Sequence, residues 1–132
     1  CFALYAATNA VTRVYRPLLK DLGLTYPQYL VLLILWEHRS QPVGEIADSL
    51  HLASHAISPI VDRLEDSGLV RRTRHEGDGR VVWVELTAAG AELEAEAADV
   101  QEQVWCRTLL DDDEVIRLRG ELHDLVERIG ER

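Results

Sequence analysis

The chain predicts a mainly α-helical fold with a small β-hairpin wing: a winged helix-turn-helix whose terminal helices form a dimerisation region. Three observations carry this. Two short apolar stripes stand in tandem at helical spacing, Val43, Ile46, Ala47, Leu50 and then Ile57, Ile60, Val61, Leu64, joined by a three-residue link at 51–53. Two strand-like runs follow at 69–74 and 81–86, around a glycine-rich tip at 75–80. Long amphipathic segments then occupy both ends of the chain. Helix, turn, helix and basic hairpin is the order in which the second helix enters a major groove and the hairpin reaches the neighbouring backbone or minor groove.

Each element has a local reason. Leu4, Ala7, Val11, Val14 and Leu18 recur at helical spacing, so a first helix is expected over about residues 1–20, ending near Gly23. Thr25 and Gln28 form a capping box, with Pro27 tolerated in the first turn of the helix that follows. That helix, to about Arg39, is apolar on nearly every side over residues 29–36, which suits the middle of a core. Residues 40–42 are expected to break it. Pro59 lies inside the proposed recognition helix and removes one backbone hydrogen bond, so a slight bend is expected there. Gly68 stands where a C-terminal cap is needed. Thr87 is expected to cap a long helix to about Leu109, with Leu93, Ala97, Val100 and Val104 as its stripe. A last helix starts at Asp111, with Glu114 completing a second capping box and Leu110 set to staple against Val115. Val115, Leu118, Leu122, Leu125 and Ile129 form its apolar stripe.

At 132 residues the chain is read as one domain, 1–132. Within it, residues 25–90 form the DNA-binding lobe, and residues 1–24 and 91–132 form the dimerisation helices. No apolar run is long enough for a membrane span, and the N-terminal sequence lacks the pattern of a secretory signal. The absence of Met predicts that residues precede Cys1 in the native chain. A cytoplasmic location is expected, with two cysteines as reduced thiols rather than a disulfide scaffold.

The net charge of −9 is unevenly placed. Residues 1–90 hold nine Lys and Arg against ten Asp and Glu, whereas residues 91–132 hold five against thirteen. The acid therefore sits on the last two helices, where it keeps that end off phosphate, while Arg63, Arg71, Arg72, Arg74 and Arg80 lie in the proposed reading head.

Ser54, His55 and Ser58 are polar, lie near the start of the second helix and stand off its apolar stripe. They are candidates for base edges or phosphate, set against an ordinary cap and solvated face. Arg71, Arg74 and Arg80 are the hairpin candidates, with Asp78 placed to orient the Arg80 guanidinium in a minor groove. Cys1 has Tyr5 one turn later on the same face. Tyr15 and Tyr26 lie near the end of that helix and the start of the next. Phenol hydroxyls that donate to sulfur favour thiolate, the form that attacks a peroxide and becomes sulfenic acid. The plainer alternative is a buried cysteine among core tyrosines. Cys106 lies off the main stripe of its helix, where it is either an accessible resolving thiol or packed under Leu109 and Leu110. The histidines show no ligand spacing with the cysteines, and there is no phosphate loop or nucleotide fingerprint, so no metal, cofactor or catalytic residue is expected.

The stretch CFALYAATNAVTRVYRPLLKDLGLTYPQYLVLLILWE, residues 1–37, resembles the organic hydroperoxide-sensing branch of the multiple-antibiotic-resistance regulator (MarR) family. SPIVDRLEDSGLVRR and DGRVVWVELTAAG resemble the wider family of winged-helix repressors. The resemblance implies that Cys1 is the peroxide-reactive cysteine and that Tyr5, Tyr15 and Tyr26 contribute to its pocket. It also implies a homodimer built from the terminal helices, and a resolving role for Cys106 through a disulfide to the other subunit. Asp78 and Arg80 match the family's wing tip. The chain departs from the branch at Gly79, where Glu is common, and at the helix opening Ala53, Ser54, His55, Ala56.

These readings lead to a dimeric, redox-sensing repressor of a pseudo-palindromic operator, with organic hydroperoxide as inducer. Oxidised Cys1 joins Cys106, within or between subunits, and the DNA is released. A repressor of the same fold gated by a phenolic or aromatic ligand at the dimer interface, lined by Tyr5, Tyr15, Tyr26 and Trp36, is the alternative. A thiol peroxidase is a third reading, for which a DNA reading head has no use.

Overall fold

A computed structural model describes every residue except 75, 76, 78, 131 and 132. Six helices and three strands follow in the order α1 (Phe2–Lys20), α2 (Tyr26–His38), β1 (Ser40–Pro42), α3 (Val43–Ser49), α4 (Ser54–Asp66), β2 (Val70–Arg74), β3 (Val82–Leu86), α5 (Ala88–Thr108) and α6 (Asp112–Gly130). The fold is the mainly helical winged helix-turn-helix that the sequence predicts. The chain forms two compact units, Cys1–Val100 and Gln101–Arg132.

In the first unit, local chemistry sets the element ends. The Thr25 hydroxyl accepts from the Gln28 N–H, and the Gln28 side chain accepts from the Thr25 N–H at 2.9 Å, so the expected capping box opens α2. Helix α4 closes at Gly68, which adopts φ +77°, a conformation that favours glycine. Thr87 caps α5, its hydroxyl accepting from the Gly90 N–H at 3.1 Å. Helix α4 continues through Pro59, whose missing N–H leaves the His55 carbonyl without its usual helical donor. Pro17 sits in the same way inside α1.

The core lies under α2. Tyr29, Val31, Leu32 and Leu35 are buried along it, as its all-round apolarity requires, together with Leu19 of α1, Ile46 of α3, Ile57, Val61 and Leu64 of α4, and Val84 of β3.

One expectation is corrected. Residues 40–42 do not merely break α2: they form β1, which pairs antiparallel with β3, Ser40 opposite Glu85 and Pro42 opposite Trp83. The sheet order is β1-β3-β2, so β3 is central and the hairpin has a third strand. Pro42 is tolerated because β1 is an edge strand, where an absent N–H costs no ladder bond on the outer side.

In the second unit, Asp111 and Glu114 form the second expected capping box, the Asp111 carboxylate accepting from the Glu114 N–H at 2.8 Å and Glu114 returning from the Asp111 N–H at 2.9 Å. None of the described residues of α6 is buried. Its stripe, including Leu118, Leu122, Leu125 and Ile129, lies open, as do Leu4 and Val11 of α1.

Candidate nucleic-acid interface and thiol site

The reading head brings Ser54, Ser58 and Arg80, three of its seven predicted contact residues, to one groove. Ser54 is the first residue of α4 and Ser58 lies one turn on, so both stand on one face. Both are exposed, as is His55. The N-cap is Ala53, which offers no side-chain acceptor, so the helix-start amides of α4 are not claimed by a cap. Such an end suits phosphate. A groove of about 630 Å³ lies between α3, α4 and the wing, and is lined by Ser54, Ser58, Arg72, Arg80, Val81 and neighbouring residues of α3.

The wing arginines divide by partner. Arg71 meets Glu85, its cross-strand neighbour, at 3.3 Å. Arg74 donates from Nη1 to the Gly79 carbonyl at 2.7 Å, which spans the hairpin. Arg80 is exposed and lines the groove. Asp78, its expected partner, lies outside the described residues. Arg72 turns toward α4 instead, with Nη2 at 2.6 Å from Asp62 and Nη1 at 3.2 Å from Glu65. Sequence reasoning grouped it with the other wing arginines. Its acidic partners are too far along the chain for any local spacing rule to reveal.

The thiol residues are dispersed along α1. Cys1 is the N-cap residue, exposed, and Tyr5 is also exposed. Tyr15 is buried, with its ring centroid 5.0 Å from Tyr26 and 5.5 Å from Tyr29. Tyr29 in turn meets Trp36 edge-on at 6.2 Å. Burial, reinforced by the neighbouring phenols Tyr29 and Tyr26, pushes the Tyr15 hydroxyl up to about 12. Burial also raises Tyr26, and raises Tyr29 with help from Tyr26. All three therefore remain O–H donors at any physiological pH.

Cys1 and Tyr15 are separated by fourteen residues of one continuous helix, which at 1.5 Å per residue is about 20 Å. Within one chain, the structure brings Tyr15 and Tyr26 together and keeps Cys1 away from them. Tyr29 was assigned to the core by sequence; its signal was the Tyr26, Tyr29 spacing, which puts both rings on one face of α2. Cys106 is exposed on α5, with Leu109 and Leu110 exposed beyond it. No group of three or more His, Cys, Asp or Glu suited to a metal occurs among the described residues.

Comparison with known proteins decides the family. The MarR family model matches residues 24–82. The organic hydroperoxide resistance transcriptional regulator of Bacillus subtilis is 37% identical over 132 residues, covering 100% of this chain and 90% of that protein. The chain belongs to the MarR family. Among solved structures, reduced AbfR bound to DNA superposes with a TM-score of 0.80 at 34% identity, over 98% of this chain and 90% of that one. Disulfide-formed AbfR superposes with a TM-score of 0.68 at 34% identity, over 100% and 90%. This MarR-family chain is thus a DNA-binding transcriptional regulator, and no helix among its described residues is long and apolar enough to cross a membrane.

Proposed function

We propose that this regulator is a redox-sensing homodimeric repressor that holds a pseudo-palindromic operator while reduced and lets go when an organic hydroperoxide oxidises Cys1. The observation that carries this is the separation within α1: an exposed thiol at one end, and a cluster of protonated phenols about 20 Å away at the other. In an antiparallel pairing of two α1 helices, Cys1 of one protomer meets Tyr15 and Tyr26 of its partner. The open apolar positions on α1 and α6 supply the surface for such a pairing. Two phenol O–H groups donating to sulfur stabilise thiolate relative to thiol.

The Cys1 thiolate attacks the terminal oxygen of ROOH, the O–O bond breaks, sulfur takes the OH group as sulfenic acid, and the alkoxide that leaves takes a proton from water to become ROH. The exposed Cys106 thiol displaces water from that sulfur and closes a disulfide. A sulfenic sulfur no longer carries the charge the phenols stabilise, so α1 loses its hold on the partner and the two reading heads change spacing. Ser54, His55 and Ser58 in the major groove, with Arg71, Arg74, Asp78 and Arg80 on the wing, form the DNA contact in this reading. Support comes from the relative named for organic hydroperoxide resistance and from AbfR, solved both reduced on DNA and with a disulfide formed.

A second reading has one observation in its favour. A cavity of about 490 Å³ lies between α1 and the start of α2, lined by Arg16, Lys20, Leu24, Tyr26 and Pro27 among others, and would suit an aromatic ligand as inducer. A gel shift on the DNA upstream of the protein's own gene, with reduced and cumene-hydroperoxide-treated protein, tests the redox reading. Release by peroxide and return with dithiothreitol are expected. Unchanged binding after oxidation leaves the ligand-gated reading.

A further inference from the structure

We propose that Arg72 is a positioning residue for DNA binding: it clasps the wing to the recognition helix and does not itself touch DNA. Arg72 is the central residue of β2, opposite Val84 in the ladder. Strand β2 is an edge of the sheet, so its outward amides have no strand partner. The Arg72 N–H donates to Glu65 Oε2 at 2.9 Å, and its Nη1 donates to Glu65 Oε1 at 3.2 Å. One carboxylate thus holds both the main chain and the side chain of the wing residue. Nη2 completes the clasp, meeting Asp62 Oδ1 at 2.6 Å and donating to the Ser58 carbonyl at 3.2 Å.

Ser58, Asp62 and Glu65 recur at helical spacing, so a single guanidinium spans two turns along one face of α4. Its side chain is 27% exposed, against 60% for Arg71, whose partner Glu85 lies within the wing itself. With both terminal nitrogens of the fork held by two carboxylates and a carbonyl, the guanidinium is committed chiefly to α4 and not to a phosphate. The clasp instead sets how far the wing stands from the helix, and with it the width of the groove that Ser54, Ser58, Arg72 and Arg80 all line. The inference needs only that the protein binds DNA, and it stands apart from the redox reading.

The test uses reduced full-length protein and a fluorescent duplex that the protein itself selects from a random-sequence pool. Affinity is measured at several salt concentrations for Arg72→Gln, Arg72→Lys, Asp62→Asn and the Arg72→Gln, Asp62→Asn pair. A clasp predicts that Arg72→Gln weakens binding about tenfold, the worth of a charged hydrogen bond discounted for partial exposure, with the salt slope unchanged. Lysine fails to restore affinity because it lacks the fork. Asp62→Asn weakens binding too, and the pair is no weaker than Arg72→Gln alone. A direct phosphate contact predicts the reverse: a salt slope lower by about one, near-full rescue by lysine, and tighter binding for Asp62→Asn because a competing negative charge is gone. Thermal melts confirm that each variant is folded at the assay temperature. Should Arg72→Gln not fold, the Arg72→Lys and Asp62→Asn results decide between the two outcomes.

Discussion

Burial governs what the phenols of this protein can do. Tyr15 is packed against Tyr26 and Tyr29, and its hydroxyl is raised from 10.0 to about 12 by desolvation first and the neighbouring phenols second. The folded protein therefore holds this proton more tightly than the unfolded chain does. Below pH 10 both states keep it and no stability is lost. Between pH 10 and about 12 the unfolded chain ionises while the folded one does not, so stability falls as pH rises through that window. Tyr15→Phe should flatten this alkaline decline in urea unfolding measured from pH 8 upward. An equally steep decline in the variant would place its origin elsewhere. Residue chemistry was partly legible in the sequence. Tyr15 and Tyr26 are legible as neighbours at the end of α1 and the start of α2, and the serines of α4 as polar residues off its apolar stripe, because their positions follow from helical spacing. The spacing of Tyr26 and Tyr29 was available to find the third phenol, whereas the inward turn of Arg72 depends on which elements pack together, and no local pattern encodes that.

At the level of elements, the joint between α2, the wing and α5 is unusually tight. The Trp36 indole N–H donates to the Gly90 carbonyl at 2.9 Å, and the Thr87 hydroxyl donates to the Gly68 carbonyl at 2.6 Å. The Thr87 N–H donates to the Leu69 carbonyl, and the Leu86 N–H to that of Arg39. Gly90 lies so close to the Leu69 backbone that a Cβ would land on the Leu69 carbonyl oxygen. Gly90→Ala must push α5 off the root of β2. A loss of about 1–3 kcal/mol, typical of overpacking, should appear as a melting point several degrees lower by circular dichroism. An unchanged melting point would mean that the joint adapts freely. No local sequence pattern singles out Gly90, since the close approach exists only once the wing is folded. The capping boxes at Thr25 and Asp111 and the Gly68 stop were all legible, because each is settled within three or four residues. Strand β1 was not: it is three residues long, contains Pro42, and pairs with β3 more than forty residues away.

The whole molecule is organised by charge and by uncovered apolar surface. Residues 1–90 are close to neutral while residues 91–132 carry thirteen acids against five bases, so the segment that holds the reading head suits DNA and the last stretch of sequence repels it. In the dimer we propose, the open stripe on α6 and the open positions on α1 are covered by a second copy of the chain. Mixed dimers test the pairing that the account requires. When one chain carries Cys1→Ser and Tyr15→Phe and the other is wild type, the remaining thiol faces the altered tyrosine across the interface. Its oxidation should slow about tenfold, the worth of a hydrogen bond to a charged sulfur. When Tyr15→Phe lies on the chain that keeps Cys1, oxidation should run at the normal rate. The opposite pattern would place the phenols beside the thiol of their own chain.

If oxidation of Cys1 controls DNA binding, fluorescence anisotropy on a selected duplex will report it. Wild-type and Cys1→Ser proteins are titrated before and after one equivalent of cumene hydroperoxide. The account predicts that both bind alike when reduced, that the wild type loses most of its affinity after peroxide, and that Cys1→Ser keeps its affinity. Equal loss in the two proteins, or no loss in the wild type, would contradict it.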